Sequence, residues 1–161
     1  MSIHRDQLEN IIIRPSLSAV GLLSDDAVAL LMGTAAQETK LGSYIAQVGI
    51  SMGKGGIGIY QCQKQAYDEL WELFVESSKT MKAKVLLLTG YSGKPPAVRM
   101  ASDLVLATIM ARLFYARILK PLPSKKDVKA MGEYWKRYYN TQLGKGTVEE
   151  FMKNYQEYVA S

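Results

Sequence analysis

Residues 100–120 read MASDLVLATIMARLFYARILK. Leu104, Val105, Leu106, Ile109, Met110, Leu113, Phe114, Ile118 and Leu119 fall on every side of a helical projection, the pattern of a helix enclosed by other elements. The length is that of a membrane span, yet Asp103, Arg112 and Arg117 would each cost about 2.5–3.5 kcal/mol at mid-bilayer, and the apolar run is too short for one. The stretch predicts a buried central helix and no stable membrane insertion. A buried helix needs a shell of others.

That shell is legible on both sides. C-terminally, Ser124–Asn140 and Thr147–Val159 read as two helices, the first capped by Ser124 with Asp127 at the capping-box position, the second by Thr147 with Glu149 and Glu150. N-terminally, Ser2 to Arg14 carries Ile3, Leu8, Ile11 and Ile12 at helical spacing, with Pro15 as the expected stop. Ser24 with Asp25 and Asp26 reads as a cap followed by first-turn carboxylates, opening a helix that ends near Gly42 and holds Glu38 in its last turn. Gln63 to about Ser78 is amphipathic, Ala83 to Leu88 is a short apolar element, and Gly90, Gly93, Pro95 and Pro96 break the chain. Val48 to Gln61 holds too many glycines for a helix or a regular strand, so it predicts a loop with a small hairpin. The expectation is a mainly α fold of six or seven helices in one domain covering residues 1–161, since a split near Gly90 would leave a marginal second piece.

Composition narrows the chemistry. The chain has 161 residues, 48% apolar and 22% charged, an ordinary globular balance that excludes a disordered or low-complexity chain. A net charge of +5 favours polyanionic partners: nucleic acid, anionic lipid or wall polymer. Cys62 is the one cysteine and His4 the one histidine, which leaves no disulfide, no metal cluster and no central imidazole for a triad. No cofactor is expected. Met1 to Asn10 carries Arg5, Asp6 and Glu9 with no apolar core, so no Sec signal peptide is read there. Gly53, Gly55 and Gly58 match the spacing of a dinucleotide-binding loop, but no strand precedes them and no acid stands at the right distance, so backbone lining a cleft is the better reading.

Glu38 is the acid of interest, because a carboxyl between an apolar helix end and a Gly-rich loop can be half buried and keep its proton near neutral pH. Three segments add to it: Ala36-Gln37-Glu38-Thr39, then Gly58-Ile59-Tyr60-Gln61, then Tyr138-Tyr139-Asn140. In that order they resemble the Glu-Ser, Gly-Leu-Met-Gln and Ala-Tyr-Asn motifs of the lysozyme-like lytic transglycosylase superfamily. The flanking sequence is similar to lysozyme-like proteins of tailed bacteriophages, over residues 24 to 159. The resemblance implies a single lysozyme-like domain, Glu38 as catalytic acid, and substrate contacts from Thr39, Gly58, Tyr60, Gln61, Tyr139 and Asn140, with the Tyr139 hydroxyl directed at the Glu38 carboxyl. Tyr60 replaces the usual Met and Tyr138 the usual Ala. It further implies cleavage of the bond between N-acetylmuramic acid and N-acetylglucosamine by a monomer. Its partners would be peptidoglycan and other virion proteins, and its place the virion or the infected host cell, acting on the wall.

Glycoside cleavage commonly uses two carboxyls. Asp68, Asp103 and Glu133 are the other acids weighed, each on a helix where a surface or ion-paired role is expected. A single acid suffices if the substrate's own N-acetyl group attacks the anomeric carbon, which puts a transglycosylase slightly ahead of a hydrolase. Tyrosines number 10, and those from Tyr134 to Tyr158 alternate with Lys136, Arg137, Lys145 and Lys153, a pattern that suits sugar faces, bases or a core. A basic helical nucleic-acid-binding domain is disfavoured because the cations are scattered. The rival from another class is a catalytically inert virion or wall-binding protein.

Overall fold

In the computed structural model, which describes residues 1–46, 49, 51, 54–140 and 144–161, 64% of the chain is helical. Seven helices form among the described residues: α1 (residues 5–19), α2 (Asp25–Thr39), α3 (residues 64–76), α4 (Lys79–Thr89), α5 (Leu104–Ala116), α6 (residues 128–140) and α7 (residues 148–160). A tight 3-10 turn, Ala97–Ala101, leads into α5.

The central helix is where the apolar stretch puts it, but shorter than residues 100–120. Asp103 begins it by accepting the Leu106 N–H at 2.9 Å, and Arg117 closes it, its guanidinium 4.0 Å over the Phe114 ring. α5 touches α1, α2, α3, α4 and α6. Its faces bury Leu106, Ile109, Met110, Leu113 and Tyr115. Two buried hydroxyl pairs fix its register. Thr34 of α2 donates to the Leu30 carbonyl at 2.7 Å, so the Tyr115 hydroxyl, 2.8 Å away, must be the donor to Thr34. Thr108 pairs with the Tyr60 hydroxyl at 3.0 Å. Left unpaired in this core, each hydroxyl would cost about 1–3 kcal/mol.

Other helix boundaries also depart from expectation. The element expected over Ala83 to Leu88 is the longer Lys79–Thr89, opened by Ser78 accepting from Met81 N. Pro15 does not end α1. Leu8–Ile13 is wound with the wider closure in which the Arg14 N–H reaches Glu9 O, and Pro15 then stands at the opening of the α-wound segment Arg14–Ala19, where its missing N–H is tolerated. Ser124 does not cap α6. Asp127 does, accepting the Ala130 N–H at 2.9 Å, while the Ser124 hydroxyl accepts from Lys126 N at 3.2 Å in the turn before the helix. Ser2, expected to cap the first helix, does not: His4 holds that position and its side chain makes no capping bond. Two caps are as read: Ser24 accepts from Ala27 N at 3.1 Å, and Thr147 and Glu150 form a reciprocal capping box.

The Gly-rich segment holds the expected small hairpin, Ile57 and Cys62 exchanging N–H···O bonds of 3.0 and 3.1 Å. At its turn Gly58 has φ +75°, and a Cβ there would lie 2.3 Å from Met100 O. Only glycine meets both demands. The loop reading also covers Val48, Ile50, Met52 and Gly53, which lie outside the described residues, as do Gln47 and, after the third motif, Thr141, Gln142 and Leu143. No described helix is long and apolar enough to cross a membrane.

Candidate functional site

Glu38 sits in the last turn of α2, and the chain reverses directly behind it. Lys40 and Leu41 both take left-handed backbone, φ 53° and 55°, a conformation that costs non-glycine residues and persists only where surroundings impose it. Thr39 supplies part of that imposition. Its buried hydroxyl donates to Ile59 O at 2.8 Å and accepts from Gly42 N at 2.9 Å, riveting the helix end to the hairpin. Thr39 is thus spent on the backbone and lines no cleft.

Beside Glu38 opens a cleft of about 780 Å³, whose lining includes Glu38, Tyr44, Gln61, Tyr139 and Asn140 together with Glu69 and Arg117. Burial pushes the Glu38 carboxyl up to about 7, against the opposing effect of a hydrogen bond from Trp135. That bond runs from the indole Nε1 to Oε1 at 3.0 Å. The Tyr44 hydroxyl donates to the Glu38 carbonyl at 2.5 Å, and the Tyr44 ring is half exposed in the cleft. An acid that holds its proton near neutral pH, beside a space large enough for a ligand, can act as a general acid.

The second and third motifs divide. Gln61, at φ 52°, lines the cleft and its side-chain amide donates to Gly58 O at 2.9 Å. Asn140 lines it too, its Oδ1 held by Lys136 Nζ at 2.8 Å. Gly58 and Tyr60 do not line it. The Tyr60 ring is fully buried against Thr108, and Gly58 is fixed by its contact with Met100, so both shape the hairpin and neither faces a ligand. Tyr139 lines the cleft, but its hydroxyl donates to Tyr60 O at 2.6 Å, so the carboxyl's partner is Trp135 instead. The reason is packing: the Tyr139 ring stacks on Tyr115, centroids 5.3 Å apart, and lies 4.6 Å from Phe114, which fixes where its hydroxyl ends. The Tyr134 and Tyr138 rings are taken up in the same aromatic stack.

Tyr44 and Glu69 line the cleft although the motifs did not single them out, and Trp135, buried and not part of the lining, bonds the acid. A buried indole needs an acceptor for its one N–H, which marks Trp135 as a residue with a polar partner; that the partner is Glu38 is a matter of the folded chain. Glu69 accepts from the Gln65 amide at 3.0 Å and stands 3.9 Å from the Arg117 guanidinium. The acids weighed from sequence lie elsewhere: Asp68 pairs with Lys64 and Lys94, Asp103 caps α5, and Glu133 is exposed. The Cys62 thiol, pushed up to about 12 by burial, stays protonated and is no nucleophile at neutral pH. No cluster of three metal-ligating side chains occurs among the described residues. Compared with models of protein families, with curated proteins and with solved structures, the chain finds no match in any of the three.

Proposed function

We propose that this protein cleaves the glycan strand of peptidoglycan between N-acetylmuramic acid and N-acetylglucosamine, on a lysozyme-like fold, as a bacteriophage wall-degrading enzyme. The observation that carries the reading is a half-buried acid at a cleft: Glu38, raised to about 7 by burial, lining a space of about 780 Å³. Glu38 gives its proton to the glycosidic oxygen as the bond to the anomeric carbon breaks. The substrate's N-acetyl oxygen closes on that carbon from the opposite side, and the carboxylate of Glu38 is then the base for the second step. If the sugar's own hydroxyl attacks, its proton returns to Glu38 and an anhydro-muramyl end results. If water attacks, the end is reducing, and Glu69 is the cleft's other carboxylate.

Tyr139 and Gln61 line the cleft together with the acid, and Asn140 adds an amide, groups suited to a sugar chain with apolar faces and polar rims. The half-exposed Tyr44 ring offers the flat surface that the buried Tyr60 does not.

The test is digestion of purified peptidoglycan followed by mass spectrometry of the fragments. Wild type releases muropeptides, and Glu38→Gln, which keeps the size of the side chain and an acceptor for the indole, loses at least about a hundredfold of the rate. A deficit of one water per new end identifies the intramolecular route; its absence identifies hydrolysis. Equal release by wild type and Glu38→Gln overturns the assignment of Glu38 as the acid; release by neither overturns the activity and leaves an inert wall-binding protein.

A further inference from the structure

We infer that Trp135 is the positioning residue of the site: by donating to Oε1 of Glu38 it confines the acidic proton to Oε2. The inference rests on the reading of Glu38 as the acid and adds which oxygen acts. An indole N–H donates and cannot accept, so an oxygen bonded to it at 3.0 Å cannot at the same time present a proton along that line. The neutral carboxyl therefore carries its hydrogen on Oε2. Among the described residues Oε2 has no hydrogen-bond partner, and it is not among the sealed, unpaired atoms of the structure. It is open to the cleft that Glu38 lines.

The indole has no freedom to choose otherwise. Trp135 is buried, its ring 5.6 Å from that of Phe151. Gly146 lies so close behind it that a Cβ there would come within 2.5 Å of Cη2 and within 3.2 Å of the Gln37 amide nitrogen. Gln37, next to Glu38 on α2, is itself held by Asn154 Nδ2 at 2.7 Å. Helix α7 and the segment before it thus wedge the indole against the acid. The titratable and charged groups around Glu38 are Tyr44, Tyr115, Tyr139 and Cys62, all raised above their ordinary values, together with Glu69 and Arg117 of the cleft lining. The first four stay neutral across the range in which Glu38 titrates.

Removing the N–H deprives the ionised carboxylate of a donor, so the protonated form persists to higher pH. The sharpest variant replaces Trp135 site-specifically with benzothienylalanine, which keeps the ring's shape and has sulfur in place of the N–H; Trp135→Phe is the simpler companion. Two readouts apply: the rate against pH, and the Glu38 carboxyl carbon titrated by NMR with no substrate present. In the benzothienyl variant the alkaline fall in rate and the NMR midpoint both move up by roughly half to one pH unit, and the rate on the acidic plateau falls roughly tenfold or more as the proton loses its fixed direction. An unmoved NMR midpoint in the benzothienyl variant overturns the inference, whatever Trp135→Phe does to folding. A protein that cleaves nothing yet shows the shifted midpoint would sink the enzymatic reading and leave the Trp135–Glu38 coupling standing.

Discussion

Glu38 titrates against its own burial, and that has a consequence for stability that is independent of any substrate. Its folded-state value near 7 lies above the usual unfolded value of about 4.3. Between the two the folded chain binds the proton more tightly than the unfolded one, so stability falls as pH rises through this window. The contribution is fully present below about pH 4 and gone above about pH 7 to 8. Glu38→Gln has no such ionisation, so its stability relative to wild type should grow over the same window, by at most about 4 kcal/mol. Denaturant unfolding of both proteins at pH 4.5 and 8 measures it, the other carboxylates cancelling in the difference. Parallel pH dependence would mean the carboxyl is solvated. At this scale the sequence was half readable. A glutamate where an apolar helix meets glycines is a local signal, whereas its partner Trp135 stands 97 positions away, and nothing short of the packed chain pairs them. Thr39 and Tyr60 show the converse: their place in a motif pointed to a ligand, yet burial assigned them to backbone and core.

At the level of elements, periodicity located the helices, and competition between neighbouring polar residues decided where they begin. Ser124 and Asp127 are both good caps, and sequence alone favoured the first. The structure favours the second because Lys125, between the two, is held by the start of α2, its N–H donating to Asp26 at 2.8 Å and its ammonium reaching Asp25 at 3.2 Å. Asp127→Ala should therefore cost about 1 kcal/mol and Ser124→Ala no more than about 0.5 kcal/mol, read from thermal or urea unfolding. A reversed order would return the helix start to Ser124. Pro15 makes the same point about helix ends. A proline is a stop only for regular α winding, and the wider turn Leu8–Ile13 that carries α1 past it has no signature in hydrophobic spacing. The third motif shares this feature, since Lys136–Asn140 is wound with the same wide closure, so the register in which Tyr139 and Asn140 meet the cleft differs from that of a regular helix.

For the whole molecule, the apolar run of α5 announced a core, and one hydrophobic cluster does join residues from Leu8 to Phe151. What it did not announce is the part that holds the site together. Phe151, fully buried on α7, meets α2 where a Cβ on Gly33 would come within 2.5 Å of its ring tip, and meets α6 where one on Gly132 would come within 3.2 Å. Its own ring flanks Trp135. A glycine inside a helix ordinarily weakens it, but these two are the recesses that let three helices close on one phenylalanine. Phe151→Ala should cost about 3–5 kcal/mol, the transfer of a phenyl group plus the cavity it leaves. If the cluster is a single cooperative unit, that loss is felt everywhere in it. Native-state hydrogen exchange is then accelerated equally at the globally protected amides of α6, beside the change, and of α3 around the buried Trp71, away from it. Acceleration confined to α6 and α7, with the α3 amides as slow as in wild type, would mean that the C-terminal helices open as a unit of their own. Glu38 would then lose the donor for its carboxyl whenever they did.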